Sequence, residues 1–279
     1  MRKTNYHTHT ARCFHASGSD EAYVESALKN GYQVLGFSDH SPWKYDSDYV
    51  ATMRMTPAEL PGYLDSIRSL REKYAGRIEI LAGLECEYYP RYQDWLRRMV
   101  SENGLDYVIF GNHFYRSDED GPYFGRATKD RAMLRRYVDS SVEGMESGLY
   151  AYFAHPDLFM RCYPGFDADA RAASRELCRA AKRLGVPLEY NLMGALYNDN
   201  YGVDGYPYEG FWRIAAAEGC TAVIGVDAHA PEQLETDRYR DQGLRLLRGL
   251  GLEILDEIPL RTDLRKTEEK GPQRDARRR

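Results

Sequence analysis

The sequence predicts an α/β fold built on parallel strands, and three observations predict it. Short apolar or β-branched runs alternate with longer helix-patterned segments, the rhythm of a parallel sheet with helical crossovers. The length of 279 residues suits an α/β barrel folded as one unit. Finally, the histidines are not scattered. Six of the seven end a predicted strand or lie within two residues of its end, and His15 follows shortly after the first strand.

Taken in order, the first strand spans residues 4–9 and the first helix 20–30, with Asp20 near its start and Gly31 behind it. A second strand at 34–40 precedes a helix at 57–74 opened by Pro57. Strands at 78–85 and 107–113 follow, then a helix at 129–147 with Gly148 behind it. The strand at 150–155 leads to a helix at 167–184, stopped by Gly185. Strands at 187–191 and 222–227 and a helix at 231–250 complete the rhythm, and a last strand-like piece at 252–258 closes or flanks the sheet. The segment 197–211, YNDNYGVDGYPYEGF, is too long for a simple turn and reads as a substrate-covering loop whose aromatics could stack on a ligand. No repeat or linker interrupts residues 1–261, which form a single domain. From Thr262 the chain reads TDLRKTEEKGPQRDARRR, a charged tail expected to be disordered over 262–279.

Composition narrows the function classes. With 43% hydrophobic and 29% charged residues the chain has the make-up of a globular protein with a sizeable core. A formal charge of −5 argues against a nucleic-acid surface recognised by bulk electrostatics. A small anionic substrate stays compatible with it, because bound metal supplies positive charge that the formula omits. Cys13, Cys86, Cys162, Cys178 and Cys220 are scattered, never in a CxxC pair, as in a reduced cytoplasmic protein. No signal peptide and no stretch long enough to span a membrane is visible, so the expected location is cytoplasmic. Nothing in the sequence marks a subunit interface.

The histidine contexts carry the chemistry: YHTHT, FSDHS, GNHF, AHPD and GVDAH, with GLECEYY supplying a carboxylate. In a parallel barrel the strand ends open on one face, where active sites are built, so residues far apart in sequence converge there. His7 and His9 stand two apart on a strand and point to the same side, able to grip one ion together. Asp227 and His229 repeat that spacing, and Glu85 ends another strand. One buried histidine alone is more often a hydrogen-bonded core residue than a ligand. The ordered set, on one face, points to a metal cluster. Mixed imidazole and carboxylate donors suit Zn, Fe or Mn better than Mg or Ca.

In the series HTH, SDH, GLECE, NHF, AHPD and VDAH, the chain resembles the PHP (polymerase and histidinol phosphatase) family over nearly all its length before the tail. The start HTHTARCFH, MRM at 53–55 and IEILAGLECEYYP make it most similar to the histidinol-phosphatase branch. The resemblance implies a distorted barrel of seven β/α units, TIM-like, with a trinuclear divalent metal site. His7 and His9 would bind the first metal with Glu85 and Asp227. Glu85 would bridge to a second held by His113 and His155, and His15, His40 and His229 would hold the third. Every position carries an acceptable ligand.

The resemblance further implies a metal-dependent phosphomonoesterase that hydrolyses L-histidinol phosphate, a late step of histidine biosynthesis. A phosphate monoester repels nucleophiles and has a poor leaving group, and clustered metals address both through a metal-bound hydroxide attacking in line. Asp227 and Asp39 are the candidates for moving the proton, although Asp39 is equally placed to cap the turn at Ser41 and Pro42. Arg161, Arg54 and Arg116 follow predicted strands on the active face and could offer phosphate a planar fork. Asn191 ends the sixth strand within reach of the site. Three rivals stand beside this reading: a PHP phosphatase or phosphodiesterase on another small phosphate, nucleotide or phosphotyrosine; a non-catalytic metal-binding PHP module; and an amidohydrolase-type barrel. The last usually has a bridging lysine where this chain has Glu85 and His113.

Overall fold

The computed structural model describes residues 2–260, so the expected tail at 262–279 lies outside the described residues. Eight parallel strands pair in chain order: β1 (Thr4–Asn5), β2 (Val34–Phe37), β3 (Glu79–Cys86), β4 (Tyr107–Gly111), β5 (Phe153–Ala154), β6 (Leu188–Asn191), β7 (Thr221–Gly225) and β8 (Glu253–Ile254). The sheet curls until its ends meet. Beyond β1 and β7, Thr8 bridges Ala228, with the His9 N–H donating to the Ala228 carbonyl at 2.8 Å. The seven expected strands are present. The piece expected at 252–258 supplies an eighth of only two residues, paired to β7 and tied to the first strand by Thr4 and Tyr6 hydroxyls donating to the Asp256 carbonyl.

Alternate residues of each strand face opposite ways. Val34, Leu81, Tyr107, Ile109, Tyr152 and Val223 fill the inside of the curl, while Leu35, Ile80, Val108, Phe110 and Ala222 pack outward on the helices. Tyr107 explains two glycines. A Cβ on Gly36 would lie 2.3 Å from the Tyr107 hydroxyl oxygen, and one on Gly83 2.5 Å from its ring. The ring occupies that space and its hydroxyl donates to the Tyr6 and Phe37 carbonyls at 2.7 and 3.1 Å. Some of the chain's 23 tyrosines are thus core in which the hydroxyl finds a backbone partner.

The five expected helices are present, although the second starts at Leu60 rather than Pro57 and the last at Arg238 rather than residue 231. They are α1 (Asp20–Lys29), α2 (Leu60–Lys73), α5 (Arg131–Glu146), α6 (Ala168–Leu184) and α9 (Arg238–Gly249), with Ser19, Asp130 and Asp167 accepting first-turn N–H groups at α1, α5 and α6. Further helices are α3 (Gln93–Glu102), the short α4 (Phe124–Ala127), α7 (Leu192–Tyr201) and α8 (Glu209–Ala217). The expected loop at 197–211 therefore needs correction. Its first residues complete α7 and its last begin α8, leaving only 202–208 as a connection. Asn191 caps α7, its side chain accepting from the Gly194 N–H.

Candidate metal centre

Six of the eight strands run out into the same depression, and each exit delivers a ligand type. Glu85 lies at the centre, 1% exposed. Its Oε1 is 2.9 Å from His155 Nε2 and 3.4 Å from His113 Nε2; its Oε2 is 3.1 Å from His40 Nδ1 and 3.6 Å from Nε2 of both His7 and His9. Asp227 Oδ1 sits 3.0 Å from His9 Nε2, 3.4 Å from His7 Nε2 and 3.5 Å from His229 Nδ1. His15, the exposed member, completes the group through His40 and His229, with ring centroids 5.5 and 4.8 Å away. All seven histidines and both carboxylates named from the sequence are together.

Some of these donors pair with one another, His155 Nε2 with Glu85 Oε1 at 2.9 Å and His7 Nε2 with His9 Nε2 at 3.2 Å, but others do not. His40 Nδ1 and Asp227 Oδ1 are buried without a hydrogen-bond partner, although other polar atoms lie within about 3 Å. Buried polar atoms that approach without pairing are what a shared cation would satisfy. The donor sets His7–His9–Glu85, Glu85–His113–His155 and His15–His40–His229 each gather their atoms within 4.8 Å of one another. Sets containing Cys13 with His9 and His229, and Glu87 with His40 and His113, meet the same measure. The imidazoles divide: burial would lower His7, His9 and His155, but the facing carboxylates outweigh it and raise all three, whereas His40 and His229 shift down. Burial, then the neighbouring His9, pushes His40 down to about 3 and His229 to about 4, which leaves both imidazoles neutral with a lone pair to give. Burial would raise Glu85 and Asp227, but the surrounding histidines outweigh it and hold both well below the usual carboxylate range.

Local backbone geometry aims two ligands. His155 and Asp227 both leave their strands in the left-handed region, with φ of 33° and 57°, a conformation costly for residues with a Cβ and typical of functional sites. Gly111 beside them keeps space open: a Cβ there would lie 2.3 Å from Glu85 Oε1.

The cluster floors a cavity of about 630 Å³, whose walls include Tyr123, Arg126, Arg161, Met193 and Tyr206. Arg161 is the arginine among those expected that reaches it. Its Nη1 donates to the Tyr123 hydroxyl at 3.1 Å, and its guanidinium lies 4.6 Å above the Tyr197 ring. Arg54 and Arg116 do not line the cavity, and the expectation for both is corrected. Arg54 is 1% exposed, with two bonds of 2.8 and 2.7 Å to Glu87, a third contact of 3.0 Å to Asp118 and a bond to the Ser41 carbonyl, so its donors face inward. Arg116 is exposed, folded over Tyr115. Asp39 stands behind His9, its Oδ1 3.4 Å from His9 Nδ1 and accepting the His40 N–H, its Oδ2 accepting from Thr10. It orients and caps, and is screened from the cavity by the ring it holds.

Reading the sequence did not single out Arg126, Glu87 or Glu189. Glu87 Oε1 is 3.2 Å from His113 Nδ1. Glu189 Oε1 is 2.8 Å from His7 Nδ1, and its Oε2 accepts the His155 N–H at 3.1 Å. A charged residue inside the parallel strand LEYN was the available signal, since such strands are buried on both faces.

Among the described residues no helix is long and apolar enough to cross a membrane. A PHP domain model matches residues 5–192. The chain is 31% identical over 235 residues to a Deinococcus radiodurans protein named "Probable histidinol-phosphatase", covering 82% of this chain and 86% of that one. It is 32% identical over 254 residues to the histidinol-phosphatase of Bacillus subtilis, covering 82% and 94%. Among solved structures, histidinol phosphate phosphatase from Lactococcus lactis subsp. lactis, complexed with zinc, L-histidinol and phosphate, superposes with a TM-score of 0.71 at 20% identity, covering 91% and 95%.

Proposed function

The chain belongs to the PHP domain family, and from that premise we propose that it is a metal-dependent phosphomonoesterase hydrolysing L-histidinol phosphate to L-histidinol and phosphate. One observation carries the reaction class: six imidazoles and two carboxylates line the floor of a cavity that Arg126 and Arg161 also line, with His7 buried directly behind them. The substrate follows from relatives at 31% and 32% identity that carry the histidinol-phosphatase name.

The donors suit three ions. His7 and His9 would hold the first with Glu85 and Asp227, a second would share Glu85 with His113 and His155, and His15, His40 and His229 would hold the third. Glu85 Oε1 faces His113 and His155 while Oε2 faces His7, His9 and His40, which supports its being shared. When bound, divalent ions such as Zn, Fe or Mn activate the attacking water and neutralise charge on the phosphoryl oxygens. The chain does the rest. Arg161, braced by Tyr123 and Tyr197, offers its fork to the phosphate. Of the two aspartates considered for moving the proton, Asp227 lines the cavity, whereas Asp39 lies behind the His9 ring. Tyr206, edge-on to His155 at 6.1 Å, walls the reacting centre from solvent.

Phosphate release from metal-quantified enzyme offered histidinol phosphate, a nucleoside monophosphate, phosphotyrosine and an aryl phosphate diester tests the substrate. A strong preference for histidinol phosphate, abolished by His9→Ala, is the expected result; equal feeble turnover of all four removes the named substrate. In the same assay Arg161→Ala raises KM or lowers kcat/KM by roughly tenfold to a hundredfold with metal content intact, the loss of a charge-assisted fork. Unchanged kinetics would exclude the clamp.

A further inference from the structure

We infer that Glu189 and Asn191, on the one long strand that contributes no metal ligand, are positioning residues that fix the ligand geometry of His7, His155 and Asp227 from a single point. The inference rests on the metal-site reading above. Glu189 is fully buried and surrounded by donors. His7 Nδ1 lies 2.8 Å and the Tyr152 hydroxyl 3.3 Å from its Oε1; the His155 N–H and Asn191 Nδ2 lie 3.1 and 2.9 Å from its Oε2. Asn191 Nδ2 also donates to Asp227 Oδ2 at 3.1 Å. Each contact sets a different property. A carboxylate at Nδ1 places the His7 proton there, so Nε2, the nitrogen facing His9, Glu85 and Asp227, keeps its lone pair. The bond to the His155 N–H holds one of the two candidate ligands whose backbone is left-handed, and Asn191 holds the side chain of the other, Asp227.

The neighbouring strand is shaped for this carboxylate. A Cβ on Gly225 would fall 1.8 Å from Glu189 Oε1 and 2.5 Å from its Cδ, so β7 has no side chain where the carboxylate sits. Asn191 is itself held, because its Oδ1 accepts the Gly194 N–H at the start of α7.

Three measurements on full-length protein test this: zinc affinity by competition with a chromophoric chelator, kcat and KM for histidinol phosphate, and the ring-nitrogen NMR signals of the zinc-loaded histidines. In Glu189→Gln, zinc affinity is expected to fall about 10- to 100-fold, as for other partners of metal-bound histidine. kcat should fall more than KM changes, and His7 should lose its single Nδ1–H tautomer. His15 and His229, whose Nδ1 atoms face the Cys13 and Asp227 carbonyls, should keep theirs. Gly225→Ala, which displaces the carboxylate without removing it, should give the same pattern and serves if Glu189→Gln does not fold. A folded variant of either kind with wild-type zinc affinity and an unchanged His7 signal overturns the inference while leaving the metal site in place. Wild-type protein that binds no zinc overturns both.

Discussion

Arg54 sits in a motif that suggested phosphate binding, yet its neighbours give it a different task. Its guanidinium is enclosed by Glu87 and Asp118, and Glu87 reaches on to His113 Nδ1. Arg54 outweighs burial to hold Glu87 well below the usual carboxylate range, so the pair is ionic and dry. Arg54→Ala leaves two buried carboxyl groups without their cation and is expected to cost about 3–5 kcal/mol in urea unfolding. Arg54→Lys recovers only part of this, since a point charge cannot pair with both carboxyl groups as a fork does. A variant of wild-type stability with a raised KM would return Arg54 to the substrate. What the sequence conveyed here was that the residue matters. Its direction was illegible, because Glu87 and Asp118 come from other loops and only the fold sets them beside it.

Among the elements, the exit of β5 shows how a strand end, a loop and a buried acid act together. Asp157, two residues beyond His155, accepts the Tyr208 N–H at 2.7 Å and so anchors the connection 202–208, which carries Tyr206 over the cavity. Burial pushes its carboxyl up to about 7 from an ordinary 3.8. With the folded value raised, the protonated acid favours the fold. Its contribution is complete below about pH 4 and is lost as pH rises through about 7. Asp157→Asn keeps an acceptor for Tyr208 without the titration. Its stability relative to wild type should therefore increase from about pH 5 to about pH 8, by at most roughly 4 kcal/mol. A constant difference across that range would mean Asp157 does not titrate there. The same region shows why some elements escaped a reading of the sequence. In α7 only Leu192 and Gly194 are buried, so no apolar stripe marks it as a helix, whereas α6 buries Ala170, Ala173, Leu177, Cys178 and Ala181 at helical spacing behind a capping Asp167.

For the whole molecule, the site was legible because a parallel barrel turns a list of strand ends into a place. Eight of the nine ligand candidates lie at or within two residues of a strand end and needed only that rule, while His15, in the loop after the first strand, came with the resemblance. Glu189 needed contacts with three other strands, which no local pattern encodes. Because the ligands come from so many strands, ions bound to them act on the entire fold. Stripping the metal with a chelator is expected to lower unfolding stability by about 4 kcal/mol for each ion held at a thousandfold excess over its Kd. The loss should track ion concentration in thermal melts. Identical melts with and without chelator would mean that the ions add nothing to the fold.

The seam between Thr8 and Ala228 reaches back to how the protein is made. While the chain emerges from the ribosome, the segment bearing His7 and His9 can pair on one side with β2, but its other neighbour is still untranslated. Asn5 Oδ1 accepts the Val226 N–H from 221 residues away, and Asp227 and His229 lie just beyond. Until they appear, the sheet has an open edge, the feature of nascent chains most prone to wrong pairing. On the proposed assignment, the full ligand sets of a first and a third ion would exist only once Asp227 and His229 have been made, whereas the set Glu85, His113 and His155 would be complete earlier.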